Sequence, residues 1–284
     1  MIQANDPLAA AAATIAAADA LLITAGAGMG ADSGLPDFRS PAGFWNSYPA
    51  YDRLGIRFEE LANPSQFHRD ARLAWGFYGH RLDLYRKTRP HEGYRALLQM
   101  AESRPGGYFV FTSNIDGHFA KAGFDPARVV ECHGSIHFLQ CSAPCQAEIW
   151  PADDVHITVD QNTMQAVGTL PSCPECGLVA RPNVLMFDDF TWLHERTATN
   201  WAAYRRWQGA LAPGRLAIME IGAGKAVPTI RAESKRVSEQ NRARLIRINL
   251  RESNVPPGHL GIPMRAVEAL PRLAEQIPPA SNSR

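Results

Sequence analysis

The chain has no apolar run approaching the roughly 20 residues that a membrane-spanning helix needs, and it has almost no net charge. Its 29 lysines and arginines balance 28 aspartates and glutamates to a formal +1 over 284 residues. No global field therefore favours nucleic acid or a membrane surface, and neither is expected as a partner. Cysteine is scarce and odd in number, with five residues. In a chain without an export signal this argues against a disulfide framework and for metal binding or isolated thiols. The N-terminal run LAAAAATIAAADALLITAGAG has the small residues of a cleavable leader, but no Lys or Arg precedes it and Asp6 and Asp19 flank it. A helix from about Pro7 leading into a strand at 21–25 accounts for the run better. The expectation is a soluble, cytoplasmic protein, long enough to bury a full core as one large domain or two smaller ones.

What is present begins with ITAGAGMGADSGLPDFRS at 23–40. A strand that turns on glycines suits a pyrophosphate, because a backbone without Cβ atoms lets amide N–H groups approach closely. The spacing of Gly26, Gly28, Gly30 and Gly34 does not match the GxGxxG fingerprint of redox dinucleotide domains, and Asp37, Phe38 and Arg39 have no role in that fingerprint.

Residues 42–103 read as a helical insertion. Asn63 and Pro64 suit a helix start, and Leu73, Phe77, Leu84 and Tyr85 fit one amphipathic face. The runs YFVFTSN at 108–114 and RVVECHG at 128–134 return to the β pattern, with IDGHFAKAG between them as a short helix. Beyond 180 the chain resumes alternation: ARPNVLMF, a helical stretch near 191–210, RLAIMEIGAG, a helix near 226–240, RLIRINL and a last helix near 263–275. Strands alternating with helices imply a mainly parallel, doubly wound sheet. Ligands bind at the carboxyl ends of such strands, where the glycine turn at Gly26, Asn114 to Asp116, His133 and the Gly-Ala-Gly at 222–224 are expected to gather.

Two cysteine pairs, Cys141-x-x-x-Cys145 and Cys173-x-x-Cys176, supply the soft ligands of a tetrahedral zinc. Four thiolates leave no open coordination position, so the reading is a structural zinc that staples a small module, not a catalytic one. Cys132, the remaining thiol, reads as a small core residue. A lone histidine at a strand end is most often merely packed. His133 has Asn114 and Asp116 at the end of the neighbouring strand, and an imidazole there can serve as general base towards a hydroxyl.

The segments GAGMGADSGLPDFRS, TSNIDGHFAKAG, ECHG, the two cysteine pairs, RPNVLMF, IGAG and INL, taken in order over roughly residues 18–272, resemble the sirtuins. The resemblance implies a Rossmann-like doubly wound parallel sheet with a smaller helical plus zinc-ribbon domain. The large domain would take residues 1–41, 104–135 and 181–275, the small domain 42–103 and 136–180, and 276–284 would be a disordered tail. It further implies that NAD is consumed as a co-substrate by an acyl-lysine protein or peptide. In the family the acyl oxygen attacks the ribose carbon bearing nicotinamide, nicotinamide leaves, and the acyl group ends on ADP-ribose with the lysine freed.

Carried over by motif position, His133 would be the general base and Asn114 would order the ribose or a water. The turn at Gly26, Ala27 and Gly28, with Asp37 and Arg39, would face phosphates and ribose, and Phe38 would shield the nicotinamide pocket. Asp116 with the Ile115 backbone would hold the carboxamide, and Ser113 would stand at a cofactor-binding position on the ribose side. Gly222, Ala223 and Gly224 would bind the cofactor through backbone N–H groups, and Asn249 would contact the adenosine. Phe187 and Asp188 would meet the substrate peptide. Tyr78 and Arg81, three apart on one helix face, resemble the pair with which some sirtuins accept succinyl- or malonyl-lysine; an Arg on a solvated face with a Tyr in the core is the alternative.

Three positions depart from the family pattern. Ser113 replaces a longer amide, and the Gly-Ala-Gly at 222–224 lacks the usual hydroxyls. Asp188 replaces a glycine where a peptide would add as a strand, which either hinders that pairing or favours basic peptides. Two rival readings accompany the deacylase: an NAD hydrolase or mono-ADP-ribosyltransferase using the same pocket, and a non-catalytic NAD or ADP-ribose binding module.

Overall fold

The computed structural model describes residues 6–36 and 55–277, except positions 144 and 147. Asp37, Phe38, Arg39 and the expected tail beyond 277 lie outside the described residues. Helix α1 (Pro7–Ala17) starts at Pro7 as the sequence suggests, where no N–H is needed, and Asp6, read from the sequence only as a flanking charge, caps it by accepting from Leu8 N at 2.9 Å.

Strand β1 (Ala20–Ala25) is buried at every residue because it lies inside a six-stranded sheet. Its neighbours are β2 (Tyr108–Thr112) and β9 (Leu216–Ile221), both parallel. Beyond β2 lies β3 (Val129–Glu131), and beyond β9 lie β10 (Arg244–Ile248) and β11 (Leu260–Ile262). Successive side chains of β1 alternate between two cores. Leu21, Ile23 and Ala25 pack with α1, α6 (Glu92–Glu102) and α10 (Ala266–Gln276), whereas Ala20 and Leu22 pack with α8 (Glu195–Gly209) and α9 (Thr229–Asn241). A parallel sheet covered by helices on both faces is the doubly wound architecture that the alternation implied. The strand order reverses between β1 and β9, so the crevice at their carboxyl ends is the natural ligand position.

A second sheet, antiparallel, is built from β4 (Gly134–Cys141), β5 (Trp150–Pro151) and β8 (Ala180–Val184). Here the sequence reading needs correction: the run at 180–187 was expected to rejoin the parallel sheet, but β8 is an edge strand of the small one. The signal was Pro182, which cannot donate to a ladder and is confined to edges and irregularities. It faces Leu139 where the β4–β8 register shifts. A two-stranded hairpin of β6 (Thr158–Val159) and β7 (Ala166–Val167) completes the cysteine-bearing module.

The helical insertion packs on this module through α5 (Ala71–Lys87). Its cap is Asp70, which accepts from Leu73 N at 3.0 Å; Asn63 instead closes a local turn by accepting from Ser65 N at 2.9 Å. The short helix α4 (Gln66–Arg69) intervenes, so the long helix starts seven residues after Pro64. Close approach is bought by glycine: a Cβ on Gly79 would come within 2.5 Å of Ile157, and one on Gly76 would overlap the carbonyl of Met164. Trp75 is fully buried and donates from Nε1 to Ala180 O at 2.8 Å, tying helix to sheet.

Candidate active site

The carboxyl ends of β1, β2 and β3 open onto one cavity of about 270 Å³, placed between the parallel sheet and the helix–small-sheet layer. Ala27 and Gly30 line it from the turn and short helix α2 (Ala27–Ala31), Ser113, Asn114, Ile115 and Asp116 from the segment after β2, and His133 from the turn after β3. From the other side come Tyr78 and Arg81 of α5 and Leu185, Met186 and Phe187 after β8. The glycine turn, Asn114 to Asp116 and His133 gather here as the topology implied, whereas Gly222, Ala223 and Gly224 pack against the glycine turn and do not line the cavity.

Each wall has a local reason. Gly26 and Gly28 are needed because the turn after β9 presses on them: Gly28 N donates to Gly222 O at 3.0 Å, and Cβ atoms on Gly26 and Gly28 would lie 2.8 Å from Gly222 O and 2.7 Å from Gly222 Cα. The two glycine turns thus pack backbone to backbone at the crevice, which only residues without a Cβ allow. A Cβ on Gly30 would meet Asp116 Oδ2 at 2.8 Å, so this glycine admits the carboxylate. Gly134 explains why His133 is followed by glycine. Its φ is +75°, and a Cβ there would overlap the carbonyl of Asn183, because the chain must turn sharply from the parallel sheet into β4. His133 O accepts from Leu185 N at 3.0 Å, which brings the segment after β8 beside it.

Among the described lining residues, Asp116 supplies the one carboxylate. Its Oδ1 accepts from His118 N at 2.9 Å, its main-chain carbonyl accepts from His137 Nε2 at 2.9 Å, and burial raises its pKa. Asn114 donates from Nδ2 to Gly26 O at 3.0 Å, linking the ends of β1 and β2. On the opposite wall Arg81 is 8% exposed. It donates to Tyr85 Oη from Nε at 3.0 Å and from Nη2 at 2.7 Å, and lies over the rings of Phe77, Tyr78 and Tyr85 at 5.0, 5.9 and 5.4 Å. Burial pushes the Tyr78 phenol up to about 12, against the pull of Arg81 and Arg181, so it is a neutral hydrogen-bond donor at physiological pH. The solvated-face alternative for Arg81 does not hold.

Some expected residues stand apart from the cavity lining. Asn249 is committed to backbone: Nδ2 donates to Ala223 O at 3.1 Å and Oδ1 accepts from Glu252 N at 2.9 Å, so the side chain braces the turn at Gly222, Ala223 and Gly224. Asp188 is exposed beside Phe187. Sequence reasoning missed Arg231, which donates to Ala223 O at 2.9 and 3.0 Å and to Glu252, and His137, which has no motif around it. Tyr85 was read only as part of an apolar face; its spacing of four from Arg81 was the available signal.

Away from the cavity, Cys141, Cys145, Cys173 and Cys176 present four Sγ atoms within 4.8 Å of one another. Cys141–Cys176 and Cys145–Cys173 approach to 3.5 and 3.6 Å, near the roughly 3.8 Å edge of a tetrahedron with Zn–S bonds of about 2.3 Å. The donor set and spacing fit a closed zinc site. Among the described residues no helix is long and apolar enough to cross a membrane.

Comparison with known proteins is consistent with this arrangement. The chain is 30% identical over 262 residues to NAD-dependent protein deacylase 2 of Pyrobaculum aerophilum, covering 90% of both chains. It is likewise 30% identical over 254 residues to an NAD-dependent protein deacylase of Pyrococcus furiosus, covering 89% of this chain and 90% of that one. Among solved structures, a mutant Sir2 homologue in complex with 2'-O-acetyl ADP-ribose aligns over 94% of both chains at 25% identity with a TM-score of 0.71. A Sir2 family model matches residues 26–206, the stretch that carries the glycine turn, Asn114 to Asp116, His133 and all four zinc-type cysteines. The chain belongs to the Sir2 family.

Proposed function

We propose that this protein is an NAD-dependent protein lysine deacylase that releases nicotinamide and transfers the acyl group to ADP-ribose. The observation that carries the reading is the convergence on one cavity of Ala27 and Gly30 from the glycine turn, a buried Asp116, Asn114 and His133, facing a second wall from α5 and the segment after β8. The two glycine turns meet at the carboxyl ends of β1 and β9, the switch point at which a doubly wound sheet takes a dinucleotide, so NAD fits the residues present. Bound NAD supplies the glycosidic bond that breaks and the ribose that takes the acyl group.

The chain's own groups act around that chemistry. Asp116, held by His118 and His137, receives the carboxamide together with the Ile115 backbone. Asn114, fixed to Gly26, orients the ribose or a water. His133 removes a proton from a ribose hydroxyl. The apolar surfaces of Leu35, Ile115, Met186 and Phe187 keep water from the reacting bond, which favours the acyl acceptor over hydrolysis. Asn249 and Arg231 act indirectly, by fixing the turn at 222–224. The thiolate site of the four cysteines holds zinc and the fold of the small module, and such a reduced set suits the cytoplasm.

Tyr78 and Arg81 support a finer reading. A buried guanidinium and a neutral phenol in the cavity wall suit the distal carboxylate of a succinyl or malonyl group. Incubating the purified protein with NAD alone, with an acetylated peptide and with a succinylated peptide separates the alternatives. Nicotinamide release that requires an acyl peptide is the expected result. Release without one would replace the reading by hydrolysis or ADP-ribosyl transfer, and no turnover would leave a binding module.

A further inference from the structure

The exposures of the cavity lining locate its mouth. Ser113, Tyr78, Asp116 and Ile115 are between 1% and 9% exposed, whereas Leu185 is 37% and Phe187 42% exposed. From this rim the chain runs on to Asp188 and Phe190, which lie outside the lining itself. Consecutive Cα atoms are about 3.8 Å apart, so Asp188 begins directly beside the lining residue Phe187. Asp188 is exposed, and Phe190 is 95% exposed.

This segment is firmly anchored. Arg181 donates to both oxygens of Asp189 at 2.8 and 2.9 Å, and both side chains are wholly removed from solvent. Asp189 also accepts from Met186 N at 3.3 Å and Thr191 N at 3.1 Å, while Gln140 accepts from Leu193 N at 3.1 Å and donates to Thr191 O at 2.9 Å. Of two adjacent aspartates, one is neutralised by a buried arginine and the other faces solvent at the rim. Asp188 has φ +54°, the left-handed conformation a glycine adopts freely and that Asp tolerates better than most residues. Its added carboxylate therefore comes without redirecting the backbone.

We infer that Asp188 and Phe190 form a cation-recognition patch at the mouth of the cavity, which selects acyl-lysine segments carrying an Arg or Lys within two residues of the modified position. The inference rests on the deacylase reading and adds the sequence class of its substrate. Acylation removes the charge of the target lysine, so any electrostatic selection must come from its neighbours. A flanking guanidinium or ammonium finds a carboxylate for a charge-assisted hydrogen bond and, nearby, an aromatic face for a cation–π contact. Asp188 thus favours basic peptides; hindrance of peptide pairing is the alternative it replaces.

Titration calorimetry without NAD tests this, with acetyl-lysine peptides differing only in whether the neighbours are Arg, Gln or Glu, and with the unacetylated Arg peptide as control. For contacts this exposed, the Arg peptide is expected to bind about fivefold more tightly than the Gln peptide, with the Glu peptide weaker again. Asp188→Asn keeps the tolerance for positive φ and removes the charge, and should bring the Arg-to-Gln ratio close to one; Phe190→Ser should reduce it. Added salt should also shrink the ratio. Equal affinities in the wild type, or an unchanged ratio in Asp188→Asn, would overturn the patch while acetyl-dependent binding left the deacylase reading standing. Failure of every acetylated peptide to bind would overturn both.

Discussion

His137 Nε2 lies 2.9 Å from the carbonyl oxygen of Asp116, and its ring fills the space that a Cβ on Gly117 would occupy, 2.7 Å from Cδ2. Because the acceptor is a carbonyl, His137 donates, and it pins the segment that presents the Asp116 carboxylate. His137→Phe should raise KM for NAD by about three- to tenfold, the value of one hydrogen bond, with a smaller change in KM for the acyl peptide. His137→Gln, which retains a donor, should restore part of the loss. Steady-state kinetics with each substrate varied would show this, and equal effects on both KM values would remove the role.

Arg81→Met should separate acyl groups. Losing a buried cation that meets a carboxylate costs about 1.5–3 kcal/mol, so kcat/KM for a succinylated peptide should fall roughly 10- to 100-fold and that for an acetylated peptide much less. Equal losses would limit Arg81 to packing among Phe77, Tyr78 and Tyr85.

Gly134→Ala combines positive φ with an overlap on the Asn183 carbonyl. Each effect is worth about 1–3 kcal/mol, so urea unfolding should show a loss of roughly 3 kcal/mol. Activity should fall as well, since His133 precedes the turn. Wild-type stability would mean that the turn from β3 to β4 relaxes freely.

His118 is fully buried, and burial chiefly, with Lys121 and His137, depresses its imidazole pKa from 6.5 to about 4. The folded state thus holds it neutral while the unfolded state gains a proton below pH 6.5. Its contribution is intact above that pH and is lost progressively down to about pH 4, on the order of 3 kcal/mol in all. The pH dependence of unfolding should flatten in that window in His118→Leu, and an unaltered slope would contradict the assignment.

Metal analysis should find one zinc per chain, and chelation should unfold the module carrying the four cysteines and abolish peptide turnover. A metal-free protein with unchanged thermal unfolding would refute the thiolate site.

Much of this was legible in the sequence because the informative residues are short-range. Strands β1, β2, β3, β9 and β10, the start of α1 at Pro7, the glycine turn and the cysteine pairs follow from local pattern, whereas the three-residue β11 at the sheet edge went unread. What was not legible depends on contacts far apart in sequence. β8 leaves the parallel sheet because Pro182 and the turn at Gly134 send it to β4. Arg181 looks like a surface cation until Asp189 folds onto it, and His137 acquires a role only when β4 passes beside Gly117. Asn249 matches a ligand position by motif, yet its amide is taken up by the backbone of the turn it supports.

The central claim is that His133 completes acyl transfer in the cavity it shares with Asn114 and Asp116. Wild type and His133→Ala should be incubated with NAD and an acylated peptide, with nicotinamide, O-acyl-ADP-ribose and free peptide followed by mass spectrometry and NAD binding measured separately. The account predicts equimolar formation of the three products by wild type. His133→Ala should lose O-acyl-ADP-ribose formation by about a hundredfold or more and still bind NAD. Wild-type levels of O-acyl-ADP-ribose from His133→Ala would contradict it.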